Sequence, residues 1–561
     1  MKKGKYIRTR IMAAGLVMTI FGACGAKEET SINEQNVTVT EAPVVTAAPT
    51  VSEEDSFLAA GRTELQVQKS YLNYILCEED VAEFEAQLLL CEQLLQDGAS
   101  YGDMEIAVQT MEELQRRIQI QADIAMVLYH CNMQDAEARD NYLFSAEVLS
   151  EIKREKDLFL AELYNSGRYG RYFQYYTDVW QKYYETYSGE TAELEYRNAE
   201  LLAEFNDLSE DEFEGKIGAL YSEFVNNNNE IATKSGFANY YEYATYMLYM
   251  REYGREEREQ LRQYAKNYIV PLYYASYEQY EAAYKEASEE DKNFISALLK
   301  DSYDSLETDY VKAYLQILPE SCGAGMLHMF EEEAYIMPDN EDAWKGAYTT
   351  WVGATICYYG PDCQQAFTMI HELGHYYAAA NATAQSYDLM ETQSQGNEML
   401  FLTYLGTVLE PKTYESLRNY RLYHFIRLIL MEIIMDEFEE TIYGLPEQLD
   451  YTAEDFDKIM YDILESYGLA EDEYTRDYVE FLWRNAGMSH PVYHLNYATS
   501  AIASLNLYCL SQEDFEAALE AYRIIQEEVD TDRNFLGTLE KAGMDSVFEE
   551  EAYIRLQSLF E

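Results

Sequence analysis

The sequence predicts a mainly α-helical protein, built as two helical regions or one large bilobed body, with a small β-sheet. Its 561 residues exceed what a single hydrophobic core usually serves. From Met104 to Tyr129, apolar residues recur at spacings of three and four, which indicates one continuous helical stripe. Only seven of the nine prolines lie beyond residue 50, which leaves room for long helices, and no rhythm of short strands and turns repeats along the chain.

One short segment departs from this helical pattern. Ala354 to Tyr359 is rich in residues that favour strands, and the turn sequence Gly360-Pro361-Asp362 ends it. Asp362 can then cap a helix that begins near Cys363. A strand is therefore expected directly before that helix.

The charge balance of the chain is strongly acidic. Lys and Arg number 41 against 102 Asp and Glu, which gives a formal net charge of −61. A negative field repels phosphate backbones, so no nucleic-acid partner is expected. Such a field favours cationic peptides over anionic ones, although a solvated, soluble surface is the simpler interpretation.

The N-terminal residues have the pattern of a targeting signal. Five basic residues lie within the first ten, and residues 11–23 form an apolar run too short to span a bilayer. Phe21-Gly22-Ala23-Cys24 resembles the lipobox of bacterial lipoproteins, although Leu is commoner where Phe21 stands. We expect a lipoprotein signal peptide over residues 1–23. A lipidated Cys24 would then anchor the chain on the extracytoplasmic face of the membrane in a bacterial cell envelope, and an ordinary secretory signal is the alternative.

Residues 24–55 are expected to form a disordered tether. Between Ser31 and Ser52 the chain is rich in Thr, Val, Ala and Glu, and it shows no helical periodicity. The helical pattern starts only at about Ser56. The tether would hold the folded part away from the membrane.

The helix expected after the strand carries the sequence His371-Glu372-Leu373-Gly374-His375. Two histidines four residues apart leave the same face of a helix, so both imidazoles can reach one metal ion. Glu372 lies one step further round, where it can serve as the general base toward a metal-bound water. The alternative is a helix in which two histidines align by chance.

A catalytic zinc ion needs a third protein ligand and one open position. No CxxC pair occurs in the chain, which disfavours a thiolate site. The extended motif with a third histidine is excluded, because Ala378 and Asn381 occupy the positions of its Gly and His. A carboxylate further along must therefore serve, and spacing alone leaves Asp388, Glu391 and Glu398 open.

The segment from Glu391 to Glu398 fits the pattern Glu-x-x-Ser-x-x-x-Glu. In this feature the sequence resembles the oligoendopeptidase F and thimet oligopeptidase group of zinc peptidases, in which that pattern follows the zinc helix. The resemblance implies one Zn²⁺ per chain, bound by His371, His375 and Glu391. It also implies a hydrogen bond from Asp388 to a ligand histidine, with Glu398 as an outer or structural acid.

The resemblance extends over much of residues 189–508. Further matching segments are residues 229–232, 236–243, 269–272 and 345–348. It implies an N-terminal helical region over residues 56–188 and a zinc peptidase catalytic domain over residues 189–561. The implied fold is bilobed and zincin-type, with a deep substrate channel. The strand from Ala354 to Tyr359 would be an exposed edge that pairs with a peptide substrate.

Residues 491–498 resemble a family segment whose tyrosines donate hydrogen bonds to the oxyanion formed during hydrolysis. Tyr497 is the best match and Tyr493 the next, so both are candidate oxyanion donors. His494 replaces a tyrosine of the family pattern, and an imidazole can also donate. His490 is a further candidate, so the identity of the second donor stays open.

The function expected from these motifs is zinc-dependent hydrolysis of internal bonds in short peptides. Glu372 would take a proton from water and pass it to the leaving amine. One alternative is a lipid-anchored peptide-binding protein without turnover, although a binder has no need of the base. The other is a structural lipoprotein of helical bundles with a coincidental motif.

Overall fold

The computed structural model describes residues 78–560, apart from positions 207, 290–291, 294, 296–304, 332–334, 351–355, 382–385, 447 and 531–533. The predicted signal peptide, Cys24 and the predicted tether lie outside the described residues, so the lipid anchor stays a prediction. Within the described part, no helix combines the length and the apolar character needed to cross a membrane.

The described chain is mainly helical, as the sequence predicts. In chain order the helices are α1 (Glu78–Asp97), α2 (Tyr101–Cys131), α3 (Ala136–Asn165), α4 (Asp178–Thr186), α5 (Gly189–Asn206), α6 (Glu210–Lys234), α7 (Tyr240–Tyr243), α8 (Arg255–Tyr264), α9 (Val270–Glu286), α10 (Ser305–Leu315), α11 (Glu320–Glu331), α12 (Ala366–Asn381), α13 (Tyr387–Val408), α14 (Pro411–Tyr443), α15 (Ala453–Tyr467), α16 (Glu473–Ala486), α17 (His494–Glu513), α18 (Phe515–Glu527), α19 (Asn534–Lys541) and α20 (Glu550–Gln557). The helix expected near Cys363 is α12, which starts three residues later, after a short 3₁₀ turn at Pro361–Cys363.

The small sheet has three strands in the order β1 (Tyr335–Ile336), β3 (Ile356–Tyr359) and β2 (Ala347–Thr350). β3 pairs in parallel with β1 and in antiparallel with β2. The strand predicted from Ala354 to Tyr359 is confirmed over its described residues. Its prediction as an exposed edge is wrong, because β1 and β2 occupy both of its sides. Within the described residues, β2 pairs on one side only and packs against α12.

Helices cover both faces of this sheet. Successive strand residues point to opposite faces, so Tyr348 and Tyr358 face α2, where they join a cluster with Ile124 and Val127. The neighbouring residue of β2, Thr349, points to α12. The sheet therefore lies between the N-terminal helices and the helix that carries the histidine motif.

The described residues form two main hydrophobic cores. One unites helices α1 to α4 with the start of α5, from Phe84 to Ala192, and the other runs from Leu201 to Leu559. Tyr183 packs against both. This division is compatible with regions at residues 56–188 and 189–561, and the boundary itself stays a prediction.

Candidate metal centre

Three buried side chains converge where α12 packs against α13. His371 and His375 leave one face of α12, and Glu391 lies in the second turn of α13. Nε2 of His371 is 3.2 Å from Nε2 of His375, and each nitrogen is 3.8 Å from Oε2 of Glu391. Their donor atoms all lie within 4.8 Å of one another, which makes these residues a candidate metal site.

Gly374 permits this convergence, because it lies where α12 and α13 come closest. A Cβ atom at this position would lie 2.6 Å from the carbonyl oxygen of Gln393 and 2.8 Å from Cα of Ser394. Both contacts are with backbone atoms, which cannot move aside by a change of side-chain rotamer. A larger residue would therefore push α13, and with it Glu391, away from the imidazoles.

The atoms that meet at the centre fit a divalent metal ion. Oε2 of Glu391 is buried, and no described residue donates a hydrogen bond to it. A tetrahedral ion with ligand distances of about 2.1 Å sets its ligand atoms roughly 3.4 Å apart. The observed separations of 3.2 and 3.8 Å bracket that value. Two imidazoles and a carboxylate are also a donor set that suits zinc.

Glu398 controls the orientation of His371. Nδ1 of His371 donates to Oε1 of Glu398 at 2.7 Å, and Arg421 donates to the other carboxylate oxygen. The arrangement directs Nε2 of His371 toward the centre. Burial alone would raise the pKa of Glu398, but the charge of Arg421 and the contact with His371 hold that pKa below its usual range.

Asp388 does not have the contact expected for it. The sequence resemblance predicts a hydrogen bond to a ligand histidine, whereas hydroxyl groups of Tyr253, Thr499 and Ser386 donate to its carboxylate. Tyr253 and Thr499 come from distant parts of the chain, which sequence spacing does not reveal. Asp388 thus holds the start of α13 in place.

Glu372 is buried next to His371, and Thr349 of β2 donates a hydrogen bond to its Oε2 at 2.6 Å. Burial raises the pKa of Glu372 to about 7, opposed by the charge of His371 and by the Thr349 hydroxyl. No sequence pattern predicted a role for Thr349. Its only signal is that it directly follows the segment 345–348, and its contact with Glu372 depends on how the sheet packs on α12.

Tyr493 contacts the centre in an unexpected way. Its hydroxyl donates to Oε1 of Glu391 at 2.6 Å, so its single proton is engaged and does not reach an oxyanion in this arrangement. The preceding residue, Val492, has a φ of 65°, which is strained for a β-branched side chain. Glu439 accepts from the amide of Val492, and Arg251 donates to its carbonyl, so two buried charges hold this strained turn.

His494 points to α14 rather than to the three converging side chains. Its Nδ1 lies 2.5 Å from Oε2 of Glu432, and both side chains are buried. Burial lowers the pKa of His494, but Glu432 outweighs it and the pKa rises to about 9. The expected oxyanion contact is therefore replaced by a buried ion pair, because His494 at the start of α17 and Tyr493 directly before it face different neighbours.

Tyr497 and His490 both lie beside Tyr493. The ring of Tyr497 packs edge-on against that of Tyr493, with centroids 5.0 Å apart, and the ring of His490 lies at 6.1 Å. Both side chains are only partly buried. Their role as oxyanion donors stays a prediction.

The fold and the site together define a mainly helical, zincin-type architecture with a buried histidine–carboxylate centre beside a three-stranded sheet. No protein-family model matches the sequence, and a search of curated proteins found no match.

Solved structures of peptidases share the fold. A protein assigned as an oligoendopeptidase F from Bacillus anthracis str. Ames is similar with a TM-score of 0.66 at 15% identity, over 87% of this chain and 96% of that chain. PZ peptidase A has a TM-score of 0.66 at 16% identity, over 86% and 96%. Oligoendopeptidase F from Enterococcus faecium has a TM-score of 0.54 at 14% identity, over 86% and 96%. The mainly helical, zincin-type fold with a small sheet is thereby confirmed, and the two lobes and the substrate channel stay predictions.

Proposed function

We propose that this protein is a zinc-dependent peptidase that hydrolyses internal bonds of short peptides. The observation that carries the proposal is the convergence of His371, His375 and Glu391, with a buried carboxylate, Glu372, beside them. The shared fold of oligoendopeptidase F structures supports a peptidase. A peptide-binding protein without turnover would have no use for Glu372 at this position.

His371, His375 and Glu391 would hold the ion, and Glu398 and Tyr493 would orient two of these ligands. When bound, zinc supplies Lewis acidity, which polarises the scissile carbonyl and lowers the pKa of water to about 7. Three protein ligands leave one coordination position for the reaction. The centre therefore has the composition of a catalytic site rather than a closed structural one.

Glu372 acts as the proton carrier. Thr349 engages Oε2, which leaves Oε1 to receive the proton from water and to return it to the leaving nitrogen. Burial excludes bulk water from this carboxylate, so the proton is not lost between the two transfers.

The peptide backbone would pair with β2 rather than with β3. β2 has one unpaired side within the described residues, and its Thr349 contacts Glu372, so a peptide added to this edge would lie beside the base. Tyr497 is the proposed oxyanion donor, because Tyr493 and His494 are engaged by Glu391 and Glu432. His490 remains the second candidate. A deep channel between two lobes would restrict substrates to short peptides.

The cellular location of the protein is proposed from its N-terminal sequence alone. Lipidation of Cys24 would place the enzyme on the extracytoplasmic face of the membrane in a bacterial envelope. Radioactive palmitate supplied to cells should label the wild-type chain and not Cys24→Ala. Labelling of both chains would reject the anchor.

Substitution of Glu372 by Gln tests the function. Purified Glu372→Gln should retain about one zinc ion per chain, measured by mass spectrometry of metals, and lose peptide hydrolysis by about 10²- to 10⁴-fold. Glu465→Gln, on an exposed face of α15, is the control and should behave as wild type.

A mixed heptapeptide library, incubated with and without chelator, supplies the substrate. Chelation should stop cleavage, and added zinc should restore it. A wild-type chain that holds zinc and binds peptides without cleaving them would instead support the peptide-binding alternative. A purified chain that does not contain about one metal ion per molecule would support the alternative of a structural lipoprotein with a coincidental motif.

A further inference from the structure

Two non-glycine residues of the described chain have a left-handed backbone conformation, and the segments that contain them contact each other. Met250 has a φ of 48° and Val492 has a φ of 65°. The hydroxyl of Tyr249 donates to the carbonyl of Pro491, and Arg251 donates to the carbonyl of Val492, both at 2.7 Å. Strained backbone persists only where surrounding contacts hold it, and it concentrates at functional sites. The purpose of this strain is therefore to be sought in what the two segments position.

Val492 is the third residue of a hydrogen-bonded turn of four residues. The amide of Tyr493 donates to the carbonyl of His490, and Pro491 is the second residue. A positive φ at the third position is the mark of a type II turn, which favours glycine or asparagine there. A proline followed by a β-branched residue favours the type I turn instead, in which the third residue has a negative φ. Tertiary contacts must therefore maintain the turn that is observed.

The peptide group between Pro491 and Val492 is held on both sides. Its carbonyl accepts from the hydroxyl of Tyr249, and its amide donates to Oε1 of Glu439 at 2.9 Å. Type I and type II turns differ by a rotation of about 180° of this central peptide group. Relaxation to type I would break both hydrogen bonds and turn the carbonyl toward the buried carboxylate.

Arg251 connects the turn to α17. One terminal nitrogen donates to the carbonyl of Val492, and Nε donates to Oδ1 of Asn496 at 3.0 Å. The buried guanidinium thus spans from the residue before Tyr493 to the first turn of the helix that follows it. A planar guanidinium can bind two acceptors in fixed directions at once, which fixes the backbone between them.

Met250 places Tyr249 and Arg251 so that both reach this turn. It follows a short helical segment, and its positive φ ends the helical path at a position where glycine is usual. The amide of Arg251 then donates to the carbonyl of Thr245 and closes the helix end. The two strained residues therefore belong to one arrangement, in which Met250 places the donors and Val492 lies between their acceptors.

The same segment reaches both partners of a hydrogen bond at the metal centre, the one from Tyr493 to Glu391. The ring of Tyr249 packs edge-on against that of Tyr493, with centroids 5.6 Å apart. The hydroxyl of Tyr253 donates to Asp388, one turn before Glu391 on α13. The segment thus fixes the donor through its backbone and its ring, and the acceptor through its helix.

We propose that Arg251 and Tyr249 are positioning residues of the metal centre: they hold Val492 in its strained conformation and so keep the hydroxyl of Tyr493 on Glu391. The inference rests on the proposed function, because Glu391 is a ligand of the proposed zinc ion. Without these contacts the turn relaxes to the form that its residues favour, and the backbone that carries Tyr493 moves with it. The carboxylate then loses its hydrogen bond, and zinc is bound less tightly.

Two conservative variants test the proposal. Arg251→Lys keeps the charge and loses the fork that binds two acceptors, and Tyr249→Phe loses only a hydroxyl. Each should weaken zinc binding about ten-fold, measured by competition with a chelator. The matched controls are Arg258→Lys, at a buried arginine that pairs with two carboxylates elsewhere, and Tyr553→Phe, at a buried tyrosine that donates to another backbone carbonyl. Both controls should bind zinc as wild type does.

A double-mutant cycle separates positioning from a general loss of stability. The hydroxyl is already absent in Tyr493→Phe, so adding Arg251→Lys should weaken zinc binding by less than about two-fold further. The same cycle with Tyr249→Phe decides the question if Arg251→Lys does not fold. An additive loss in either cycle, wild-type affinity in either folded single variant, or equal weakening in the controls would overturn the proposal.

If wild type binds no zinc, the proposed function fails, and crystal structures of the metal-free proteins then decide the inference. In Tyr249→Phe, Val492 should have a negative φ, and the hydroxyl of Tyr493 should lie beyond hydrogen-bond distance of Glu391. Tyr553→Phe should keep both features as in wild type. A Tyr249→Phe structure that retains the contact between Tyr493 and Glu391 would overturn the inference.

Discussion

Thr349 is the residue that connects the sheet to the proposed base. Its hydroxyl donates to Oε2 of Glu372 at 2.6 Å, and both side chains are buried. A carboxylate with one oxygen fixed presents the other in a defined direction, which matters for proton transfer over a hydrogen-bond distance. Thr349 thus positions the base without contacting the substrate's reacting atoms.

Replacing Thr349 by Val should lower kcat about ten-fold and leave KM and zinc content unchanged, because the variant keeps the shape and loses one hydrogen bond. Thr349→Ser restores the hydroxyl and should recover most of the rate. Steady-state kinetics on one cleaved peptide measure both. A Val variant with the wild-type kcat would show that the contact does not orient Glu372.

Tyr493 positions the carboxylate ligand in a comparable way. Its hydroxyl donates a hydrogen bond to Oε1 of Glu391, and Oε2 of the same carboxylate faces the two imidazoles. Partners of this kind usually contribute 10- to 100-fold to metal affinity. Tyr493→Phe should therefore weaken zinc binding by about that factor, measured by competition with a chelator.

The control for this change is Tyr508→Phe. Tyr508 is a buried tyrosine of α17, the helix that begins directly after Tyr493, and its hydroxyl contacts Tyr414 away from the centre. Its removal should leave zinc affinity unchanged. Equal weakening in both variants would mean that Tyr493 acts only through general packing of α17.

At the scale of elements, a buried ion pair joins α17 to α14. His494 and Glu432 are both buried, and Glu432 raises the pKa of His494 to about 9 against the effect of burial. The ordinary pKa of histidine is about 6.5. Protonation is thus favoured by the folded state, and the pair stabilises the fold fully below pH 6.5. That contribution declines as the pH rises toward 9.

His494→Gln should reduce the free energy of unfolding by about 3 kcal/mol at pH 6 and much less above pH 9. Urea unfolding at several pH values measures the difference. His328→Gln, at an exposed position of α11, should show no such trend. A loss of stability that stays constant between pH 6 and pH 10 would contradict the assigned pKa.

At the scale of the whole molecule, the N-terminal helices pack against the face of the sheet that is opposite to α12. His130 at the end of α2 stacks on Trp344 with ring centroids 5.0 Å apart, and its Nδ1 lies 3.0 Å from the hydroxyl of Tyr348. Its backbone carbonyl accepts from Tyr358 and from the amide of Trp344. Since Tyr348 and Thr349 are neighbours on β2, one strand joins the N-terminal region to the proposed base.

His130→Ala should lower the free energy of unfolding by about 2 to 3 kcal/mol, because it removes a hydrogen bond and a stacked ring from a buried interface. Thermal unfolding measures the change. Met133→Ala, at an exposed position nearby, should have little effect. An unchanged melting temperature in His130→Ala would show that the interface does not depend on this ring.

Much of the site could be predicted from the sequence because its determinants are local. The spacing of His371 and His375 on one helix face follows from helical periodicity. Spacing left three acids open as third ligand, and the family pattern selected Glu391, which does lie at the centre. Asp388, Tyr493 and His494 have other contacts than predicted, because each contact depends on the packing of distant helices.

The amino-acid sequence by itself determined the helical class, the strand before the motif helix and the two imidazoles that face one point. These follow from periodicities of a few residues. Only the tertiary structure decided which strand of the sheet is central and that Thr349 holds Glu372. Each of these unites residues far apart in the chain. Their meeting depends on how helices and strands pack, which short-range spacing does not encode.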